Sequence, residues 1–98
     1  TRSITYGADC TANDALVDLA ADTDILIAEC GDGPDPQPAS PHMSGGEAGL
    51  TAARARARRL LLTHCFPEHD RTATLQAARA AFSGPADWAR QGETTWVA

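Results

Sequence analysis

Arg59-Leu60-Leu61-Leu62-Thr63-His64 runs from a basic helical segment through unbroken aliphatic residues to a histidine, then leaves through Cys65-Phe66-Pro67. A short continuous apolar run of this kind fits a strand covered on both faces. Pro67 cannot continue a central strand, so pairing is expected to stop near Phe66. In open α/β sheets, ligands bind outside the carboxyl ends of the strands, and His64 sits at such an edge. A neutral imidazole there is a metal ligand or proton carrier when other polar groups converge on it. Without them it is a strand cap bonded to a loop.

Two more strands end the same way. Ser3-Ile4-Thr5-Tyr6 is closed by Gly7 and the turn residues Ala8-Asp9-Cys10-Thr11, so Asp9 lies just past a strand end. Ile25-Leu26-Ile27-Ala28 is a second unbroken apolar run and stops on Glu29. Between them, Thr11 or Asn13 caps a helix whose apolar stripe is Ala15, Leu16, Leu19 and Ala20. Gly31 to Ser40 holds two glycines and three prolines, a loop long enough to suggest function, and it delivers the chain to His42. Ser44 with Glu47 spells a capping box, opening a helix through Ala48, Leu50, Ala52 and Ala53 to Arg54, Arg56 and Arg58. Those arginines read as a solvated helix end that complements the dipole. Asp70 caps a third helix carrying Leu75, Ala78 and Phe82, which stops at Ser83-Gly84-Pro85. Asp87-Trp88-Ala89 and Thr94-Thr95-Trp96-Val97 read as two short closing strands around a tight turn. The expected order is β-α-β-α-β-α-β-β, a layered α/β domain over residues 1–98. Right-handed crossovers set Asp9, Glu29 and His64 on one rim, with His42 arriving from the long loop. Carboxylate and imidazole together suit zinc, manganese or iron.

Composition limits the rest. The chain has 98 residues, 43% apolar and 21% charged, which is a globular balance for one modest core. A net charge of −5 gives no general affinity for nucleic acid or anionic membrane. No apolar run approaches the ~20 residues that span a bilayer. Cys10, Cys30 and Cys65 are widely spaced and unpaired by motif, as expected of reduced thiols in a cytoplasmic protein. His69 in Pro-Glu-His-Asp reads as a surface loop residue.

Tyr6-Gly7-Ala8-Asp9-Cys10, Leu26-Ile27-Ala28-Glu29-Cys30, His42-Met43-Ser44 with Glu47-Ala48-Gly49, and Leu61-Leu62-Thr63-His64 follow one another with family-like spacing. Together they resemble the second half of a metallo-β-lactamase-fold hydrolase, nearest its ribonuclease Z-like and phosphodiesterase-like branch. The resemblance implies half of a four-layer αββα fold and two divalent metal ions, zinc by default, with manganese or iron as alternatives. It implies Asp9 as the carboxylate bridging the metals, His64 as the last metal-binding histidine, and His42 as the group that assists the leaving group. Glu29 then orients the site from behind. The implied nucleophile is a metal-bridged hydroxide, acting on a small phosphodiester or RNA.

The pattern also departs from the family. The His-x-His-x-Asp-His motif and the next metal histidine are missing from these residues, and Asp9 follows alanine where the family has glycine directly. The expectation is therefore the carboxyl-terminal portion of a longer hydrolase, inactive alone, completed by an amino-terminal half. Self-association as a homodimer is the alternative way to cover the exposed sheet. Lactone or thioester hydrolysis is the near alternative within the fold, and a non-catalytic α/β module is the alternative from another class.

Overall fold

The computed structural model describes residues 1–97. Four strands and three helices alternate: β1 (Ile4–Tyr6), α1 (Asp14–Leu19), β2 (Ile25–Glu29), α2 (Gly45–Ala55), β3 (Leu60–Thr63), α3 (Arg71–Ala81) and β4 (Ala86–Trp88). The strands form one parallel sheet in the order β1-β2-β3-β4. Each crossover advances one position in the same direction, so right-handedness puts all three helices on one face.

Strand alternation then sorts the side chains. Thr5, Leu26, Ala28, Leu60, Leu62, Ala86 and Trp88 share the helix-covered face by register. All but Thr5 belong to the apolar core, with Met43, Ala48, Ala52, Ala78 and Phe82 packed against them. The opposite face carries Ile4, Tyr6, Ile25, Ile27, Glu29, Leu61, Thr63 and Asp87. On it Ile4 and Tyr6 are 55% and 63% exposed.

The helices start where the capping signals place them. Asn13 accepts the Leu16 N–H, Asp70 accepts the Ala73 N–H, and both halves of the Ser44–Glu47 capping box are made. The ends differ. The first helix turns so that Val17 is half-buried and Leu19 is 70% exposed, against the expected stripe. The second helix stops at Ala55, where Arg56 adopts a left-handed φ of 56°. Arg56 and Arg58 thus lie beyond the helix and pair with Asp22 and Asp24, while Arg54 pairs with Asp14.

The closing hairpin is not formed. β4 spans Ala86–Trp88 and pairs parallel with β3, and no strand forms over residues 94–97. Coming after α3, this strand follows the same crossover rule as its predecessors, which the short-range alternation obscured.

Helices α2 and α3 approach closely because Gly45 and Gly49 stand one turn apart. A methyl at either would run into the backbone carbonyl of Thr74 or Ala78.

Candidate functional site

Asp9, Glu29, His42 and His64 meet at the carboxyl ends of β1, β2 and β3, as expected for polar groups at parallel strand ends. Glu29 braces the turn that carries Asp9 and the ring of His42. It is the last residue of β2 and only 1% exposed, yet both of its oxygens are occupied. Oε1 accepts the Cys10 N–H at 3.1 Å and lies 2.7 Å from His42 Nδ1, while Oε2 accepts the Gly31 N–H at 2.7 Å. One carboxylate therefore ties the turn after β1 to the start of the long loop and to the histidine at its end. A buried carboxylate so saturated satisfies the requirement that interior charge be hydrogen-bonded.

The Glu29 bond fixes Nδ1 of His42 as the paired nitrogen and leaves Nε2 for other partners. That hydrogen bond, reinforced by the negative charge of Glu29, Asp32 and Asp9, holds the His42 imidazole above the usual histidine range. The His42 ring lies 5.4 Å from that of His64, and Phe66 meets both edge-on at 5.3 and 5.1 Å. His64 Nε2 stands 3.8 Å from Asp9 Oδ1. Both groups are open to solvent, Asp9 at 63% and His64 at 37%. The backbone bends sharply to present them: His64 has φ of 58° and Ala8, just before Asp9, has φ of 53°. This left-handed region favours glycine.

Among the described residues, no three His, Cys, Asp or Glu side chains converge as a complete metal centre. Asp9 and His64 offer one oxygen and one imidazole nitrogen from one side, an incomplete donor set of the right chemical type for zinc.

Several contributors escaped the sequence reading. Asp32 is buried at 7% exposure and its Oδ1 accepts the Ser40 hydroxyl at 2.5 Å. Ser40 Oγ in turn accepts the His42 N–H at 3.1 Å. This chain of bonds pinches the loop closed and seats His42, helped by Asp32 N–H to Met43 O and Gly45 N–H to Gly33 O. Gly31 sits in a tight space: a methyl there would stand 3.0 Å from the His42 ring and 3.2 Å from Glu29 and Phe66. Phe66, read only as a strand terminus, is an aromatic wall for the two histidines. An aspartate and a serine at opposite ends of a proline-rich loop were the available signal. His69 packs over Gly33, where a methyl would lie 2.6 Å from its ring, and the φ of 78° there independently favours glycine. Cys30 is buried in the core and its thiol is pushed up to about 12, chiefly by burial.

No protein-family model matches the chain. It is 40% identical over 94 residues to an uncharacterized protein of Mycobacterium leprae. It is 35% identical over 94 residues to the probable metallo-hydrolase YhfI of Bacillus subtilis, and 35% over 98 residues to ribonuclease Z of Myxococcus xanthus. These alignments take in 94%, 93% and 95% of this chain but 33%, 38% and 32% of the relatives, so the chain spans about a third of their length. The crystal structure of YhfI, a metallo-β-lactamase-fold protein, superposes with a TM-score of 0.88 at 32% identity, over 95% of this chain and 39% of that one. The parallel sheet, its three helices and the rim they carry are thus part of a metallo-β-lactamase fold. Sequence and fold together group the chain with the metallo-β-lactamase-fold proteins, in the portion the four motifs pointed to.

Proposed function

We propose that this chain is the carboxyl-terminal part of a metal-dependent phosphodiester hydrolase. The observation that carries the reading is one shared rim: Glu29 holds the Cys10 turn, Gly31 and His42, while the β2–β3 pairing sets His64 3.8 Å from Asp9. Asp9 Oδ1 and His64 Nε2 would hold divalent metal, with the remaining ligands outside these residues. Metal bound there supplies a polarised phosphoryl oxygen and an activated water. The chain's own groups do the rest. His42, pinned through Nδ1, presents Nε2 as a proton donor to the departing oxygen, and the Glu29 hydrogen bond that raises its basicity favours the protonated form. Phe66 shields the imidazoles from bulk water on one side. Ribonuclease Z among the relatives favours a phosphodiester over a lactone or thioester.

The sheet supports a missing partner as well. Ser3, Thr5 and Gly7 face β2, leaving the backbone groups of Ile4 and Tyr6 directed outward on the β1 edge. The other edge is closed by its own side chains. Arg79 donates twice to Ala86 O, and the Trp88 N–H donates to Asp87, itself clamped by Arg90. An open edge beside exposed Ile4 and Tyr6 is where an amino-terminal half would continue the sheet.

The test is hydrolysis of a small phosphodiester by the natural protein that contains this chain. His42→Ala is expected to lower kcat by roughly 10²–10⁴-fold while metal content is retained. Unchanged turnover in that variant would remove His42 from the reaction.

A further inference from the structure

The neck of the long loop is closed by backbone bonds. Asp32 N–H donates to Met43 O at 3.0 Å, Gly45 N–H to Gly33 O at 2.7 Å and Gly46 N–H to Pro34 O at 3.4 Å. Residues 35–39 stand exposed outside that neck. The loop therefore has its ends tied together without the Asp32 side chain. What the carboxylate adds is one further contact, Ser40, and through it His42.

Asp32 Oδ1 accepts the Ser40 hydroxyl at 2.5 Å, a length typical of a hydroxyl bonded to an ionised carboxylate. With its proton committed there, Ser40 Oγ offers a lone pair to the His42 N–H at 3.1 Å. Glu29 holds the same residue by its ring, at Nδ1. His42 is thus gripped twice, at the backbone and at the imidazole, and the two grips together set where Nε2 stands. The arrangement opposes the stability of the fold in two places. Asp32 Oδ2 is, among the described residues, the one buried side-chain nitrogen or oxygen without a hydrogen-bond partner, and such a group is destabilising. Ala39, exposed and next to Ser40, is kept at a φ of 53°, where glycine is favoured. Strain of this kind collects at functional sites.

We propose that Asp32 is a positioning residue for the reaction: acting through Ser40, it fixes the backbone from which His42 presents Nε2 to the departing oxygen. The inference rests on the hydrolase reading above, in which His42 is the proton donor. A donor displaced by about 1 Å loses up to about 10²-fold in rate, and the loss falls where a proton is needed. An alkoxide leaving group needs one, whereas p-nitrophenolate, a far weaker base, departs without it.

The experiment compares turnover of two substrates by the natural protein containing this chain: a dinucleotide, whose leaving group is an alkoxide, and the p-nitrophenyl ester of a nucleotide. Ser40→Ala and Asp32→Ala should each lower kcat on the dinucleotide by about 10–10²-fold, with KM nearly unchanged and a much smaller loss on the aryl ester. Asp32→Asn, whose Oδ1 still accepts the Ser40 hydroxyl, should recover most of the dinucleotide rate. Equal losses on both esters, a loss confined to KM, or Asp32→Asn as slow as Asp32→Ala overturns the proposal. Ser40→Ala, at a half-buried position, carries the test if Asp32→Ala does not fold. NMR of the histidine rings gives a reading independent of turnover. The His42 ring signals should move in Ser40→Ala, and signals that stay in place overturn the role of Asp32. Failure of the hydrolase reading shows separately, as turnover indifferent to His42→Ala, and leaves the ring signals to decide whether Asp32 places His42.

Discussion

Glu29 and His42 set the site's proton inventory. The folded pairing raises the His42 pKa, so its stabilisation is complete below the ordinary imidazole pKa of about 6.5 and is lost as pH rises through the raised value. Glu29→Gln should lower the His42 midpoint, read by NMR titration of its ring, and the stability gap between the two proteins should shrink toward high pH. An unmoved midpoint would show that Glu29 does not govern the imidazole. The thiols offer a second check. Cys30, buried and pushed up to about 12, should resist iodoacetamide at pH 8 in the folded chain and react once the chain is unfolded. Asp9, Glu29, His42 and His64 could be named from sequence because each ends a strand or a loop that pattern and motif define. Asp32, Ser40 and Phe66 could not, because their roles depend on how an irregular loop folds back, and no periodicity encodes that closure.

Among the elements, caps were legible and lengths were not. Ser44-x-x-Glu47 is a local device whose two bonds need only its own four residues, so spelling sufficed. Arg56 in a left-handed conformation ends α2 early without a glycine to announce it. The parallel placement of β4 is a tertiary outcome, set by α3 packing back across the sheet, whereas alternation around Gly92 suggested a local hairpin. The α2–α3 packing is the sharpest prediction at this scale. Gly49→Ala forces a methyl against the Ala78 carbonyl and should destabilise by about 1–3 kcal/mol, measured by urea unfolding. Ser44→Ala should cost about 1 kcal/mol through the cap alone. A smaller loss for Gly49→Ala than for Ser44→Ala would mean that the helices part easily.

For the whole molecule, sheet asymmetry is the guiding fact. One edge is closed by Arg79, Asp87 and Arg90, and the other is open beside Ile4 and Tyr6. A polypeptide supplying the rest of the fold should bury that edge, and hydrogen exchange at Ile4 and Tyr6 should slow when it is present. Exchange that stays fast would place the partner elsewhere. The central claim is that Asp9 and His64 belong to a metal centre completed from outside these residues. The most direct test is the metal content of the natural protein by elemental analysis, before and after Asp9→Ala and His64→Ala. About two divalent ions per chain are expected, reduced in each variant while the circular dichroism is kept. Full metal content in both variants, or a metal-free protein that still hydrolyses phosphodiesters, would contradict that claim.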